Sequence, residues 1–159
     1  VASKMQVVGL AAGHGKRMKT DAVPKVLVPY KNQPLILHLL NSIKAAKVCN
    51  KIAIVIGQKA DMVKEALGSD YIYILQTEQR GTGHAVACAR PILKSLAENV
   101  MVLYGDHPLL SVTTIKKIAD ELNIEPERII EFSDKELSPS EGATVLFRKK
   151  LQLFIKIKK

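Results

Sequence analysis

The apolar residues of this chain switch repeatedly between a period of two and a period of about 3.6, in short alternating blocks. That rhythm restricts the fold more than any single residue does. Strand-like runs stand at Gln6 to Leu10, Lys51 to Ile56, Tyr71 to Leu75 and Asn99 to Tyr104. Between them the spacing predicts helices. Pro34 suits a first helical position, with Leu35, Leu39, Ile43 and Ala46 recurring on one face. Lys59 to Leu67 reads as a second helix closed by Gly68. His84 to Leu96 is a third, in which Pro91 either kinks the helix or starts a separate final stretch. Thr113 or Thr114 caps a fourth, running to about Leu122. Four β-α units in series imply an α/β, Rossmann-like fold, a mostly parallel sheet with helices on both faces. Ligands in such sheets sit outside the carboxyl ends of the strands.

A chain of 159 residues, 47% hydrophobic and 25% charged, is long enough to bury an ordinary core. Its longest apolar runs, such as Val100 to Tyr104, are too short to span a bilayer, and no internal repeat appears. The first apolar run ends at once in Gly-His-Gly-Lys-Arg, which argues against a secretory signal. Cys49 and Cys88 lack CxxC or Cys/His spacing and read as free thiols of a cytoplasmic protein. The net charge of +9 is mostly a tail effect. Arg148, Lys149, Lys150, Lys156, Lys158 and Lys159 supply six of those charges with no acid among them, leaving +3 for the body. A body of that charge suits an acidic small-molecule substrate and does not call for nucleic acid. In the tail, Leu151, Leu153, Ile155 and Ile157 alternate with Gln152, Phe154, Lys156 and Lys158, the period of a strand with one solvated face.

Three of the strand ends carry chemistry. After the first comes Gly13-His14-Gly15-Lys16-Arg17-Met18 and then Pro24-Lys25, a turn of free N–H groups followed by cations. A dinucleotide fingerprint would need glycine at Met18, and a P-loop would need Ser or Thr at Arg17, so this is a phosphate loop of another kind or none. Arg17 and Lys25 have the charge to hold a triphosphate and to stabilise a leaving pyrophosphate. After the third strand, the amide of Gln76 can both donate to and accept from a base such as uracil, and Gly81-Thr82-Gly83 opens a helix with its N–H groups free. After the fourth, Asp106 follows Gly105 in a position suited to Mg²⁺ held jointly with phosphates. The second strand ends in Gly57-Gln58, which says little. Taken singly, each motif also has a plainer reading, as a turn or a helix cap. The four histidines show no metal spacing; His38 reads as packed within its helix, and His107 has no defined role.

In order and spacing these segments resemble a known family. Leu10 to Met18, Pro24-Lys25, the block Gln76-Thr77-Glu78-Gln79-Arg80-Gly81-Thr82-Gly83-His84-Ala85-Val86, and Leu103 to Leu109 are similar to the sugar-phosphate nucleotidyltransferases. Within them the likeness is strongest to the N-acetylglucosamine-1-phosphate uridyltransferases, over about the first 120 residues. The resemblance implies the nucleotide-diphospho-sugar transferase fold and transfer of UMP from UTP to N-acetylglucosamine 1-phosphate, with Mg²⁺ bridging phosphates. Carried over, Leu10, Ala11, Ala12 and Gly13 would lie along the nucleotide, and Arg17 and Lys25 would bind and activate its phosphates. Gln76, Gly81 and Thr82 would read the uridine. Tyr104 and Gly105 would complete the site, with Asp106 as metal ligand and His107 replacing the family's usual small or apolar residue.

Beyond Leu122 the resemblance fades. The family's Gly-Tyr-Gly-Arg and Glu-x-Asn-Thr-Gly motifs of the sugar-holding half are absent, as is any acetyltransferase half with hexapeptide repeats. The expected organisation is a nucleotide-binding domain over residues 1–122, with an incomplete remnant of the sugar half and a basic strand over 123–159. The chain starts without Met, and the expectation is a truncation or a sequence with segments missing. Two functions stay open: a uridyltransferase, or a relative using another sugar phosphate or CTP, and a non-catalytic remnant that binds UTP and Mg²⁺. A homo-oligomer is left open as well.

Overall fold

The computed structural model describes residues 3–13, 22–124 and 153–156. The chain enters along β1 (Ser3–Ala11), passes a short 3-10 turn (Lys25–Leu27) and forms a hairpin of β2 (Pro29–Tyr30) and β3 (Gln33–Pro34). Lys31 and Asn32 turn this hairpin with φ of 46° and 66°, the left-handed pair that a two-residue loop between twisted strands requires. Then follow α1 (Leu35–Ala46), β4 (Ala53–Ile56), α2 (Ala60–Leu67), β5 (Ile72–Leu75), α3 (Thr82–Leu96), β6 (Ala97–Tyr104), α4 (Val112–Ile124) and β7 (Leu153–Lys156).

The main sheet has the order β5-β4-β1-β6-β7. Its first four strands are parallel, as the β-α rhythm requires, and β7 lies antiparallel on β6 with Asn99 opposite Lys156 and Val102 opposite Leu153. The alternation of the tail thus belongs to a fifth strand of the same sheet. Most of the segment expected as a remnant of a sugar-binding half, residues 125–152, lies outside the described residues.

Topology decides which face each helix covers. From β1 the chain steps outward to β4 and β5, then returns across β1 to β6, so right-handed crossovers must put the returning helix on the opposite face. Accordingly α1, α2 and α4 pack on one side through Ile36, Leu39, Ile43, Val63 and Ile115, where they meet Met5, Val7, Ile54, Ile56, Met101 and Leu103. On the other side α3 brings Ala85, Val86, Ala89 and Leu93 against Val8, Ala53, Val55, Ile74, Val100 and Val102. Every residue of β4 is buried, which explains its unbroken apolar run.

Several local expectations shift. In α1 the buried stripe is Ile36, Leu39, Leu40, Ile43 and Ala46, and Pro34 stands just before the helix, leaving Leu35 as its first residue. α3 continues through Pro91 as one helix; Ala87, whose carbonyl loses its donor there, is an exposed residue. The cap of α4 is Ser111, whose hydroxyl accepts the Thr114 N–H at 3.1 Å. Gly68 closes α2 as expected, with φ of 81° and its N–H donating to Lys64 O. Cys49 and Cys88 are free thiols, and burial pushes the Cys49 thiol above its usual range. Among the described residues no helix is long and apolar enough to cross a membrane.

Candidate active site

The strand register brings the motif-bearing ends to one rim. Ala11 stands opposite Ile56, Ile56 opposite Leu75, and Leu10 opposite Tyr104, so the segments that follow β1, β5 and β6 start side by side. β1 is the strand from which the chain departs to both sides, the position at which open α/β sheets leave a crevice.

Two glycines make this rim tight. The Gly105 N–H donates to Leu10 O at 2.9 Å, and a Cβ at Gly105 would stand 2.8 Å from that oxygen and 3.1 Å from Val26 Cγ1. A Cβ at Gly57 would stand 2.9 Å from Ala12 O, so the residue set aside in the sequence has a definite task, which is to let β4 end against β1. Gly13 and Gly83 differ: no described atom lies within 4 Å of where their Cβ would be, which leaves open space beside the backbone. We expect Gly105→Ala to cost about 1–3 kcal/mol of stability, because backbone rather than a flexible side chain must yield. Chemical denaturation measures it, and an unchanged midpoint would mean that the contact relaxes freely.

The charged centre lies across the same rim. Lys25, in the 3-10 turn, and Asp106, just past β6, are 81 residues apart, yet Lys25 Nζ donates to Asp106 Oδ2 at 2.6 Å. Pro24 precedes the turn in an extended conformation, φ −54° and ψ 138°, and its carbonyl accepts the Leu27 N–H. The lysine side chain is 42% exposed and the aspartate 25%, so both stay within reach of a ligand. His107 Nε2 is 3.5 Å from Asp106 Oδ1, and its ring leans on Tyr104 with centroids 5.4 Å apart. His38 is packed as expected: its Nε2 donates to Tyr30 O at 2.6 Å and its Nδ1 accepts from the Gln33 amide at 3.2 Å.

On the β5 side, Gln76 is buried and its backbone N–H donates to Ile56 O at 2.8 Å, continuing the sheet by one residue. Its side-chain amide reaches Gly81 O at 3.3 Å and His84 Nδ1 at 3.0 Å. Gly81 has φ of 93°, a left-handed conformation that turns the chain into α3, and its carbonyl also accepts the Ala85 N–H. Thr82 is the first residue of α3, half-buried, so the helix does open where expected. The Gln79 amide donates to Ala12 O and ties this loop to the end of β1.

The sequence-derived residues thus fall into linked groups: Leu10, Tyr104, Gly105, Asp106 and Lys25 on one side of β1, and Ala12, Gln76, Gly81 and Thr82 on the other. Ala11, buried, and Gly13, exposed, end the strand between them. Arg17 lies outside the described residues. Gln79, His84 and Gly57 were without an assigned role in the sequence reading. The first two stood inside the quoted Gln76 to Val86 block, and a glycine right after a strand was the only signal for the third.

A doubly wound sheet with a lysine–carboxylate pair and a buried amide along one rim places the chain among the open α/β domains. The sequence profile of the MobA-like NTP transferase domain matches residues 7–153, and the chain belongs to that family. It is 43% identical over 115 residues to the bifunctional protein GlmU of Pseudomonas paraeruginosa, covering 72% of this chain and 24% of that protein. The chain spans about a quarter of the length of such relatives. A nucleotidyl transferase from Methanothermobacter thermautotroptrophicus superposes with a TM-score of 0.64 at 25% identity, over 74% of this chain and 57% of that one. A Mycobacterium tuberculosis protein, Rv0371C, solved as a complex with manganese, shares the fold with a TM-score of 0.59 at 23% identity, over 76% and 60%.

Proposed function

We propose that this chain carries the nucleotide side of a uridyltransferase that moves UMP from UTP to N-acetylglucosamine 1-phosphate. The observation that carries the reading is the convergence of Lys25 and Asp106 at 2.6 Å beside the end of β1, across that strand from the Gln76 amide. Uridine and N-acetylglucosamine 1-phosphate are proposed from the resemblance of the Gln76 to Val86 block to the uridyltransferases, and the 43% identity to a GlmU protein supports the same family.

In this reaction a phosphate oxygen of the sugar 1-phosphate attacks the α-phosphorus of UTP. A bond from that oxygen to phosphorus forms, the bond from phosphorus to the α,β-bridging oxygen breaks, and pyrophosphate leaves with the electron pair. No protein nucleophile is required. What the protein supplies is charge and orientation. Lys25 neutralises phosphate charge at the reacting centre, and Arg17 is proposed to do the same from the loop after β1. Leu10, Ala11, Ala12 and Gly13 form the floor along which the nucleotide lies; the open space beside Gly13 admits a phosphate against the backbone. Gln76, Gly81 and Thr82 hold the base and ribose, and Tyr104 and Gly105 close the opposite wall.

Asp106 suits a hard divalent cation such as Mg²⁺, since its carboxylate is accessible and offers oxygen ligands. An ion held there would be shared with substrate phosphates. Such an ion, when bound, lowers the charge repulsion that the attacking sugar phosphate meets. The His107 imidazole stands on the other carboxylate oxygen and orients it.

Pyrophosphate release tests the proposal. With UTP and Mg²⁺, the full-length protein is expected to release pyrophosphate with N-acetylglucosamine 1-phosphate faster than with glucose 1-phosphate. No release with any acceptor in a panel of sugar phosphates would leave a nucleotide-binding remnant and overturn the enzyme reading.

A further inference from the structure

The Gln76 carboxamide is held from two sides, and one of its holders has no part in the chemistry above. Its Nε2 faces Gly81 O at 3.3 Å and His84 Nδ1 at 3.0 Å. A backbone carbonyl only accepts, so the amide atom turned toward Gly81 has to be the nitrogen and not the oxygen. That nitrogen has one hydrogen left for His84. The imidazole Nδ1 must then be the unprotonated ring nitrogen, and the ring proton sits on Nε2, which faces Cys88 Sγ at 3.9 Å one turn along α3. With both amide hydrogens committed, the carbonyl oxygen is the hydrogen-bonding atom that Gln76 has left. Its surroundings leave little freedom, since the residue is 4% exposed and its backbone is bonded into the sheet.

We infer that His84 is a positioning residue: its Nδ1 locks the Gln76 carboxamide with the carbonyl oxygen toward the pyrimidine, and this selects uracil over cytosine. The inference rests on the proposed role of Gln76 as the base reader. Uracil carries a hydrogen on N3, which a carbonyl oxygen accepts; cytosine has a bare N3, which the same oxygen repels. An amide free to rotate half a turn would serve either base, because its NH₂ group would face N3 of cytosine as readily as its oxygen faces uracil. Gly81 O alone, at 3.3 Å and already accepting from Ala85, holds the amide weakly. His84 supplies the shorter bond, and the proton on its far nitrogen sets its tautomer. Selectivity thus originates one residue away from the base, in a side chain that need not touch the nucleotide.

Calorimetric titration of the full chain with UTP and with CTP, both in excess Mg²⁺, tests this. His84→Leu removes the acceptor, and the ratio of the CTP and UTP dissociation constants is expected to shrink roughly tenfold. His84→Asn places a side-chain oxygen where Nδ1 stood and is expected to keep the ratio. In the unliganded wild type, a long-range proton–nitrogen NMR spectrum is expected to show His84 Nδ1 as the bare ring nitrogen, a readout that needs neither nucleotide nor activity. An unchanged ratio in His84→Leu, or a proton on Nδ1, overturns the inference while leaving UTP binding intact. Failure of the wild type to bind UTP overturns the functional reading itself, and the inference with it.

Discussion

Asp106→Asn is expected to lower pyrophosphate release by about 10²- to 10³-fold, the scale on which loss of one preorganised charge-stabilising group acts. The substitution keeps the shape of the side chain and takes away its charge, so the effect isolates electrostatics. In the folded protein the carboxylate meets Lys25 at 2.6 Å, but the pair is partly exposed, and such pairs contribute only about 0.2–1 kcal/mol. Activity and stability therefore separate: release should fall by orders of magnitude while the denaturation midpoint barely moves. Steady-state release assays across a Mg²⁺ series check the first half and thermal unfolding the second. A variant with near-normal turnover at every Mg²⁺ concentration would remove Asp106 from the site.

Lys25→Ala is expected to cost as much, by a different route. The ammonium stands in the 3-10 turn at residues Lys25–Leu27, held by the buried Val26 and by an extended Pro24, so its position is set by packing as well as by its partner. Removal leaves Asp106 without its cation and the phosphates without a positive group on that side. Turnover is expected to drop about 10²- to 10³-fold, with a smaller loss in UTP affinity, because the charge matters most where phosphate charge redistributes. The double variant Lys25→Ala/Asp106→Asn should lose far less than the product of the single losses, since residues that act as a unit are not additive. Full additivity would mean that the two groups act independently and that their 2.6 Å contact has no bearing on turnover.

Much of this arrangement was legible in the sequence, and the parts that were not have physical reasons. The parallel strands announced themselves because β1, β4 and β6 are buried on both faces and therefore read as apolar runs, while the helices between them show one apolar stripe each. The strand-end rule then put Gln76, Asp106 and Lys25 on one rim of the sheet. The phase of α1 was harder. Leu35, Ile36 and Leu37 are all apolar, so periodicity could not say which faces the sheet, and only burial in the core beneath the sheet selects Ile36. Three capping-competent residues, Ser111, Thr113 and Thr114, crowd the start of α4, and the choice among them depends on where the chain turns after the buried Leu110. Gly57 was given no role because its reason is the backbone of Ala12, a neighbour only through register. The bond between Gln76 and His84 depends on the left-handed turn at Gly81, which brings a residue just past β5 face to face with one in the first turn of α3; no spacing rule contains that.

The position of β1 has a consequence for the order in which the molecule can be made. Among the described strands it comes first in the chain and yet lies in the middle of the sheet, with Ser3 paired to Ala97 and Leu10 to Tyr104. One of its edges can close as soon as β4 exists; the other must wait until β6 has left the ribosome. Until that moment Lys25 lacks Asp106, and Val7 and Gly9 lack Met101 and Leu103 opposite them. A nascent chain therefore carries a half-paired apolar strand from the time β1 emerges until β6 does, the stage at which a stalled chain would be prone to aggregate.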